Sequence, residues 1–138
     1  MSHYTGGCLC GAVRIEITAA PYRVGICHCL DCRKRHGVVF SSFAVFPLDA
    51  ATVTGATREF KNRHFCPTCG SALFDRLGDE FELQIGCLDA PNQLTPTYES
   101  WVVRREGRQR GAATSYEPRR DAHAALRLLR SIMRGGLA

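Results

Sequence analysis

Cysteine content constrains this chain more than any other feature, with eight cysteines among 138 residues. Seven of them fall into three clusters: Cys8 and Cys10 in GGCLCG, Cys27, Cys29 and Cys32 in CHCLDC, and Cys66 and Cys69 in FCPTCG. Cys87 stands alone in IGCLDAP. The opening segment MSHYTGGCLCG has neither the basic nor the apolar region of a signal peptide, so a cytoplasmic chain is expected. No run approaches the roughly 18 apolar residues of a membrane span, and no membrane partner is expected. Cytosolic thiols stay reduced, and reduced cysteines this close together point to metal rather than to disulfides.

Geometry divides the cysteines into two sites. Zinc holds thiolate sulfurs at about 2.3 Å in a tetrahedron, which places neighbouring sulfurs about 3.8 Å apart. C-x-x-C in a tight turn supplies that spacing, and C-x-C supplies it from one side of an extended chain. The pairs Cys8/Cys10 and Cys66/Cys69 are each followed by glycine, which suits a backbone turning back under a metal. Together they make a closed four-thiolate site, the structural kind. Cys27, Cys29 and Cys32 then supply three corners of a second zinc site, with an open corner as in catalytic zinc. The candidates for that corner are water, a substrate thiol, His36, His64 and Cys87. His28, between two ligands, is expected to point away.

Arg33, Lys34 and Arg35 follow the triplet directly. They can offset the negative charge of a three-thiolate zinc, and they can grip carboxylates of an acidic substrate. A helical turn over LDCRKRH would add a positive N-terminus beside Cys32. The formal charge of +5 falls to about +2 once seven thiolates and two zinc ions are included, so nucleic acid is not an expected partner. A redox pair at Cys29/Cys32 is a weaker reading, because a third cysteine adjoins it.

Around these clusters the pattern is that of strands. Val13, Ile15 and Ile17 alternate with Arg14 and Glu16, and Phe81, Leu83 and Ile85 alternate with Glu82 and Gln84. Segments 37–47, 51–55, 58–62, 72–77 and 97–105 also read as strands, with a turn at Gly55 and a hairpin turn at Gly78-Asp79. Phe65, Phe74 and Trp101 read as core. The expected organisation is a mostly β domain over residues 1–105, a polar linker over 106–118 and an amphipathic helix over 119–138. In that last segment Ala125, Leu128, Leu129, Ile132 and Met133 form an apolar stripe, opposite Arg127, Arg130 and Arg134. The stripe would dock on the sheet or on a second subunit, which allows a homodimer. A basic helix for membrane or nucleic acid is the alternative.

The ordered blocks GCLCG, CHCLDCRK, FCPTCGSALF and GCLDAP resemble the glutathione-dependent formaldehyde-activating enzyme family, which includes the centromere protein V-like domains. The resemblance spans about residues 5–105. It implies a β-tent-like domain of small antiparallel sheets and two zinc ions per chain. Cys8, Cys10, Cys66 and Cys69 would carry the structural ion, and Cys27, Cys29 and Cys32 the functional one. It also implies carbon–sulfur lyase chemistry, joining glutathione as co-substrate to formaldehyde and running the reverse. In that chemistry His28 or His36 would serve as the acid, and Arg33, Lys34 and Arg35 would hold the tripeptide's carboxylates. The segment WVVRREGRQRG departs from the family's usual Ala-Pro-Trp-like continuation. A non-catalytic module with two zinc ions, built for structure or binding, is the competing function, and other thiol chemistry at the triplet is a third.

Overall fold

The computed structural model describes residues 2–107. Apart from its first two positions, the linker expected at 106–118 lies outside the described residues, as does the helix expected at 119–138. The described chain forms β1 (Tyr4–Gly7), β2 (Arg14–Ile17), β3 (Arg23–Cys27), helix α1 (Leu30–His36), β4 (Ser41–Pro47) and β5 (Ala51–Thr54). It continues through β6 (Arg58–Phe60), β7 (Arg63–Phe65), β8 (Ala72–Leu77), β9 (Glu80–Gln84) and β10 (Tyr98–Ser100). A three-stranded sheet has the order β1-β2-β5, and a seven-stranded sheet has the order β10-β3-β4-β9-β8-β7-β6. All pairings are antiparallel except that of β10 with β3. The mostly β architecture with one short helix is the class the alternating segments predict.

Cross-strand partners share a face of a sheet, so register sorts the large sheet into two surfaces. Val24, Ala44, Leu83 and Phe74 line up across β3, β4, β9 and β8. With Phe46 and Phe81 they pack on Val13, Ile15 and Ile17, which belong to the small sheet or its approach. The Tyr4 and Phe46 rings meet across this layer at 5.6 Å. Burying each of these large side chains contributes about 1.5–3 kcal/mol, and this is where the core sits.

The opposite surface aligns Cys27 with Ser41, Phe43 with Gln84, and Val45 with Glu82 and Asp75. Helix α1 belongs to this side. Cys29 and Cys32 pack on Cys27, Phe43 and Val45, and Arg35 forms an ion pair with Asp75. The helix starts at Cys29, whose sulfur accepts the Cys32 N–H at 3.2 Å, and ends at Gly37, which takes the left-handed conformation at φ 62°.

Several elements differ from the sequence pattern. Strand 37–47 begins only at Ser41, because the helix and its cap use the chain through Gly37. Segment 58–62 breaks after Phe60, where Lys61 and Asn62 take positive φ in a tight turn. Strand 97–105 stops at Ser100, and Trp101, expected in the core, is 63% exposed with a left-handed φ of 55°. Phe74 is buried as expected, while Phe65 is half-buried. β1 and β3 escape the alternation rule because glycines interrupt them.

β9 has no solvent face. Gln84 is buried and Glu82 is half-buried. Burial, then the neighbouring Asp75, pushes the Glu82 carboxyl from the ordinary 4.5 up to about 7, with Arg23 and Arg35 opposing and Glu80 reinforcing. The folded protein therefore holds this proton more tightly than the unfolded chain does. Stability falls as pH rises from about 4.5 through about 7. Glu82→Gln is expected to be more stable than the parent at pH 8 by on the order of 1–3 kcal/mol and nearly equal to it near pH 4, as read by urea unfolding at the two pH values. Phe46→Ala, which empties the space between the sheets, should lose about 3–5 kcal/mol in the same assay.

Candidate metal centres

Cys8 and Cys10 lie in the connection from β1 to β2, and Cys66 and Cys69 in the connection from β7 to β8. Each connection folds back on itself. Gly11 N–H donates to the Cys8 carbonyl at 3.1 Å, and Gly70 N–H donates to the Cys66 carbonyl at 2.9 Å. Gly11 (φ 80°) and Gly70 (φ 76°) occupy the left-handed region, where a side chain is strained. The two turns bring the four sulfurs within 4.8 Å of one another. Cys8–Cys10 and Cys10–Cys66 sulfur separations are 3.5 and 3.8 Å, and all eight cysteines are free thiols. These separations are too long for a disulfide and match the edges of a tetrahedral thiolate site. Val13 N–H donates to Cys8 Sγ at 3.2 Å. The Ser71 hydroxyl, with its own N–H, holds the Cys69 thiol down to about 5, toward the thiolate a metal requires.

The second group gathers Cys27 at the end of β3, Cys29 at the cap of α1 and Cys32 in its first turn, again within 4.8 Å. Burial opposes ionisation of Cys29, yet hydrogen bonds from the Cys32 N–H and thiol hold its thiol below the usual range. Burial, then Cys29, pushes the Cys32 thiol up. Among the described residues no histidine, carboxylate or further cysteine joins these three within the same distance. His64 instead faces Thr57 and Glu59 and stacks on Phe74 at 4.5 Å. Cys87 donates to the Ala72 carbonyl at 3.1 Å, and burial pushes its thiol up to about 11.

The remaining residues singled out in the sequence have separate surroundings. His28 is 3% exposed; its Nε2 lies 3.0 Å from Glu99, and its buried Nδ1 has no partner. For His36, burial and then the charges of Arg35 and Arg63 bring the imidazole down to about 4, so it is neutral at pH 7. Its Nε2 is buried without a partner. Arg35 donates to Asp75 and to the carbonyls of His64 and Phe74, and Arg33 pairs with Glu106. Lys34 lines a cleft of about 440 Å³ together with Lys61, Arg63, Phe60 and Phe65.

A larger cavity of about 610 Å³ reaches the first cysteine group and the surroundings of the second. Cys8, Cys69, His36, Ser41, Gln84 and Cys87 are among its lining residues. The triplet sulfurs do not line it themselves. Ser41 does, and it sits opposite Cys27 in register, with its hydroxyl opposing the rise of the Cys32 thiol. Gln84 escaped sequence reasoning, because in EFELQ it has the spacing of an outward polar residue. No helix among the described residues is long and apolar enough to cross a membrane.

A mostly β domain with one four-cysteine and one three-cysteine group, each able to hold a metal ion, defines the class of protein. The sequence pattern of the glutathione-dependent formaldehyde-activating enzymes matches residues 3–104, and the chain belongs to that family. It is 28% identical over 79 residues to an uncharacterized lyase of Schizosaccharomyces pombe, covering 54% of this chain and 58% of that protein. It is 32% identical over 89 residues to a Halomonas elongata protein provisionally named a glutathione-dependent formaldehyde-activating enzyme, covering 50% of this chain and 53% of the relative. The chain thus spans little more than half the length of these relatives. A crystal structure of a Rhodobacter sphaeroides protein shares the fold, with a TM-score of 0.54 at 24% identity over 70% of this chain and 99% of that one.

The two groups should respond differently to substitution. Cys66→Ser is expected to unfold the protein, since it cuts the tie between two connections. Cys29→Ser should keep native far-ultraviolet circular dichroism while metal content falls by about one ion per chain. A folded Cys66→Ser protein with full metal content would reverse the assignment.

Proposed function

We propose that the protein is a zinc-dependent carbon–sulfur lyase that adds a glutathione-type thiol to formaldehyde or a related carbonyl, and catalyses the reverse. The observation that carries this reading is the triplet of thiols with no fourth protein ligand in reach among the described residues. Family membership, the lyase name of the Schizosaccharomyces pombe relative and the formaldehyde-activating name of the Halomonas elongata relative support the same reaction class. The donor sets fit zinc: four thiols for a closed site, and three for a site with one exchangeable position. Bound at the triplet, zinc would supply electrostatic stabilisation of thiolate at neutral pH.

The chain's own residues would handle the proton and the substrate. In the addition, sulfur bonds to the carbonyl carbon, the carbon–oxygen π pair moves to oxygen, and the thiol proton ends on that oxygen. Glu99 accepts from His28 Nε2 in this scheme, which leaves Nδ1 as the basic atom. Nδ1 takes the thiol proton and returns it to the alkoxide. His36, neutral and partnerless at Nε2, serves as a hydrogen-bonding group rather than as the acid. Lys34, beside Lys61 and Arg63, is the cation placed for a substrate carboxylate, while Arg33 and Arg35 are held by Glu106 and Asp75.

The test is two-dimensional exchange NMR of glutathione and formaldehyde at equilibrium with the zinc-loaded protein. Exchange should be accelerated by the parent, lost in Cys29→Ser, and reduced about 10²-fold or more in His28→Gln. Exchange no faster than in buffer would leave a two-metal structural or binding module.

A further inference from the structure

Beside helix α1, the end of the large sheet forms a cleft of about 440 Å³. One wall is α1, with Asp31, Lys34 and Arg35. The other is the β6–β7 hairpin, with Phe60, Lys61, Arg63 and Phe65, and Gly70 and Ala72 complete the lining. Among the described residues, that lining includes no hydroxyl, side-chain amide or thiol. In register Phe60 stands opposite Arg63, and Phe65 opposite Ala72. Lys61 and Asn62 turn the hairpin, both with positive φ, and the Lys61 ammonium lies 5.5 Å from the centre of the Phe60 ring.

The charged side chains of the lining divide into committed and uncommitted ones. Arg35 pairs with Asp75, and Arg63 lies between Asp31 at 3.4 Å and Asp75 at 4.0 Å. Lys34 and Lys61 form no ion pair among the described residues. Both are exposed, and Phe60 is 67% exposed, so a ligand can reach all three. The cleft therefore offers one ammonium from each wall and an aromatic surface beside one of them. A bare anion would leave the Phe60 ring in water. A neutral apolar group would leave both ammonium groups without a counter-charge. An anion carried next to an apolar group meets both features. A second copy of the chain would set these ammonium groups against like charge. β6, three residues long and paired with β7, is too short an edge for an added strand.

We infer that this cleft takes the acidic end of the thiol substrate as a carboxylate carried beside an aromatic or branched apolar side chain. Phe60 covers the apolar group, and Lys34 and Lys61 hold the carboxylate. The inference rests on the lyase reading above and deepens it, naming Phe60 and Lys61 as specificity-determining residues. The glycine end of glutathione offers the carboxylate alone, whereas a thiol peptide ending in phenylalanine offers both groups.

The experiment titrates the zinc-loaded protein, observed by amide chemical shifts, with three probes that carry no thiol. N-acetylphenylalanine has both groups, N-acetylglycine has the carboxylate alone, and N-acetylphenylalanine amide has the ring alone. The parent should bind the first about ten-fold more tightly than either of the others, with shifts centred on Lys34, Phe60, Lys61 and Phe65. Phe60→Thr, at an exposed strand position, should stay folded and bind N-acetylphenylalanine and N-acetylglycine about equally. Lys61→Asn keeps a residue type suited to the positive φ and should bind the acid and the amide of phenylalanine about equally. Equal binding of the three probes by the parent, no detectable binding, shifts centred elsewhere, or a ring preference that survives in Phe60→Thr would each overturn the inference. The exchange assay separates the two readings. Accelerated glutathione–formaldehyde exchange without the probe preference would leave the lyase standing and this inference refuted. The probe preference without exchange of either glutathione or γ-glutamylcysteinylphenylalanine would refute the lyase and leave the cleft its class of ligand.

Discussion

Convergence of four thiols from two distant connections is the constraint on which the rest of the architecture depends. The small sheet is built from strands of four residues each, too short to hold a layer by their own ladders. It is kept on the large sheet by apolar contacts through Ile15, Ile17 and Phe46, and by the approach of Cys8 and Cys10 to Cys66 and Cys69. The approach requires both connections to turn sharply, which is why glycine follows each pair. A metal ion held there would convert four competing, partly buried thiols into one satisfied cluster and lock the two sheets in register.

With that tie in place, the large sheet can carry different chemistry on its two faces. One face is a dry core of Phe46, Phe74, Phe81, Leu73 and Leu83. The other carries Cys27, Ser41, Gln84, Glu82 and Asp75 under a seven-residue helix. That helix is too short to be stable alone. It is anchored by Cys29 at its start, by Cys32 against Phe43 and Val45, and by Arg35 reaching Asp75 and two backbone carbonyls. Arg35 thus holds the helix to the sheet and walls the cavity at the same time.

Charge is distributed in keeping with this division. Among the described residues, Arg35 and Asp89 in the wall of the cavity near the cysteines are paired with Asp75 and Arg14, whereas the neighbouring cleft gathers Asp31, Lys34, Lys61 and Arg63 around Phe60 and Phe65. The two spaces share Arg35, Gly70 and Ala72 in their walls.

The cysteine spacings alone divided the thiols into a group of four and a group of three, because C-x-C and C-x-x-C confine sulfurs to one small volume whatever surrounds them. Alternation in Val13–Ile17 and Phe81–Ile85 marked two strands for the same local reason, and the short helix over LDCRKRH was within reach of its motif. What only the tertiary structure decided involves partners far apart in sequence. Arg35 reads as a free cation until Asp75 lies opposite it, and His64 as a ligand until Thr57, Glu59 and Phe74 enclose it. Gln84 reads as a surface residue until the helix side of the sheet buries it. Trp101 reads as core until the chain turns at a positive φ and leaves it exposed. Ligand geometry is set by covalent spacing and so is written in the chain. Charge pairing, burial and the lining of a cavity arise from which strands become neighbours, and no window of sequence contains that information.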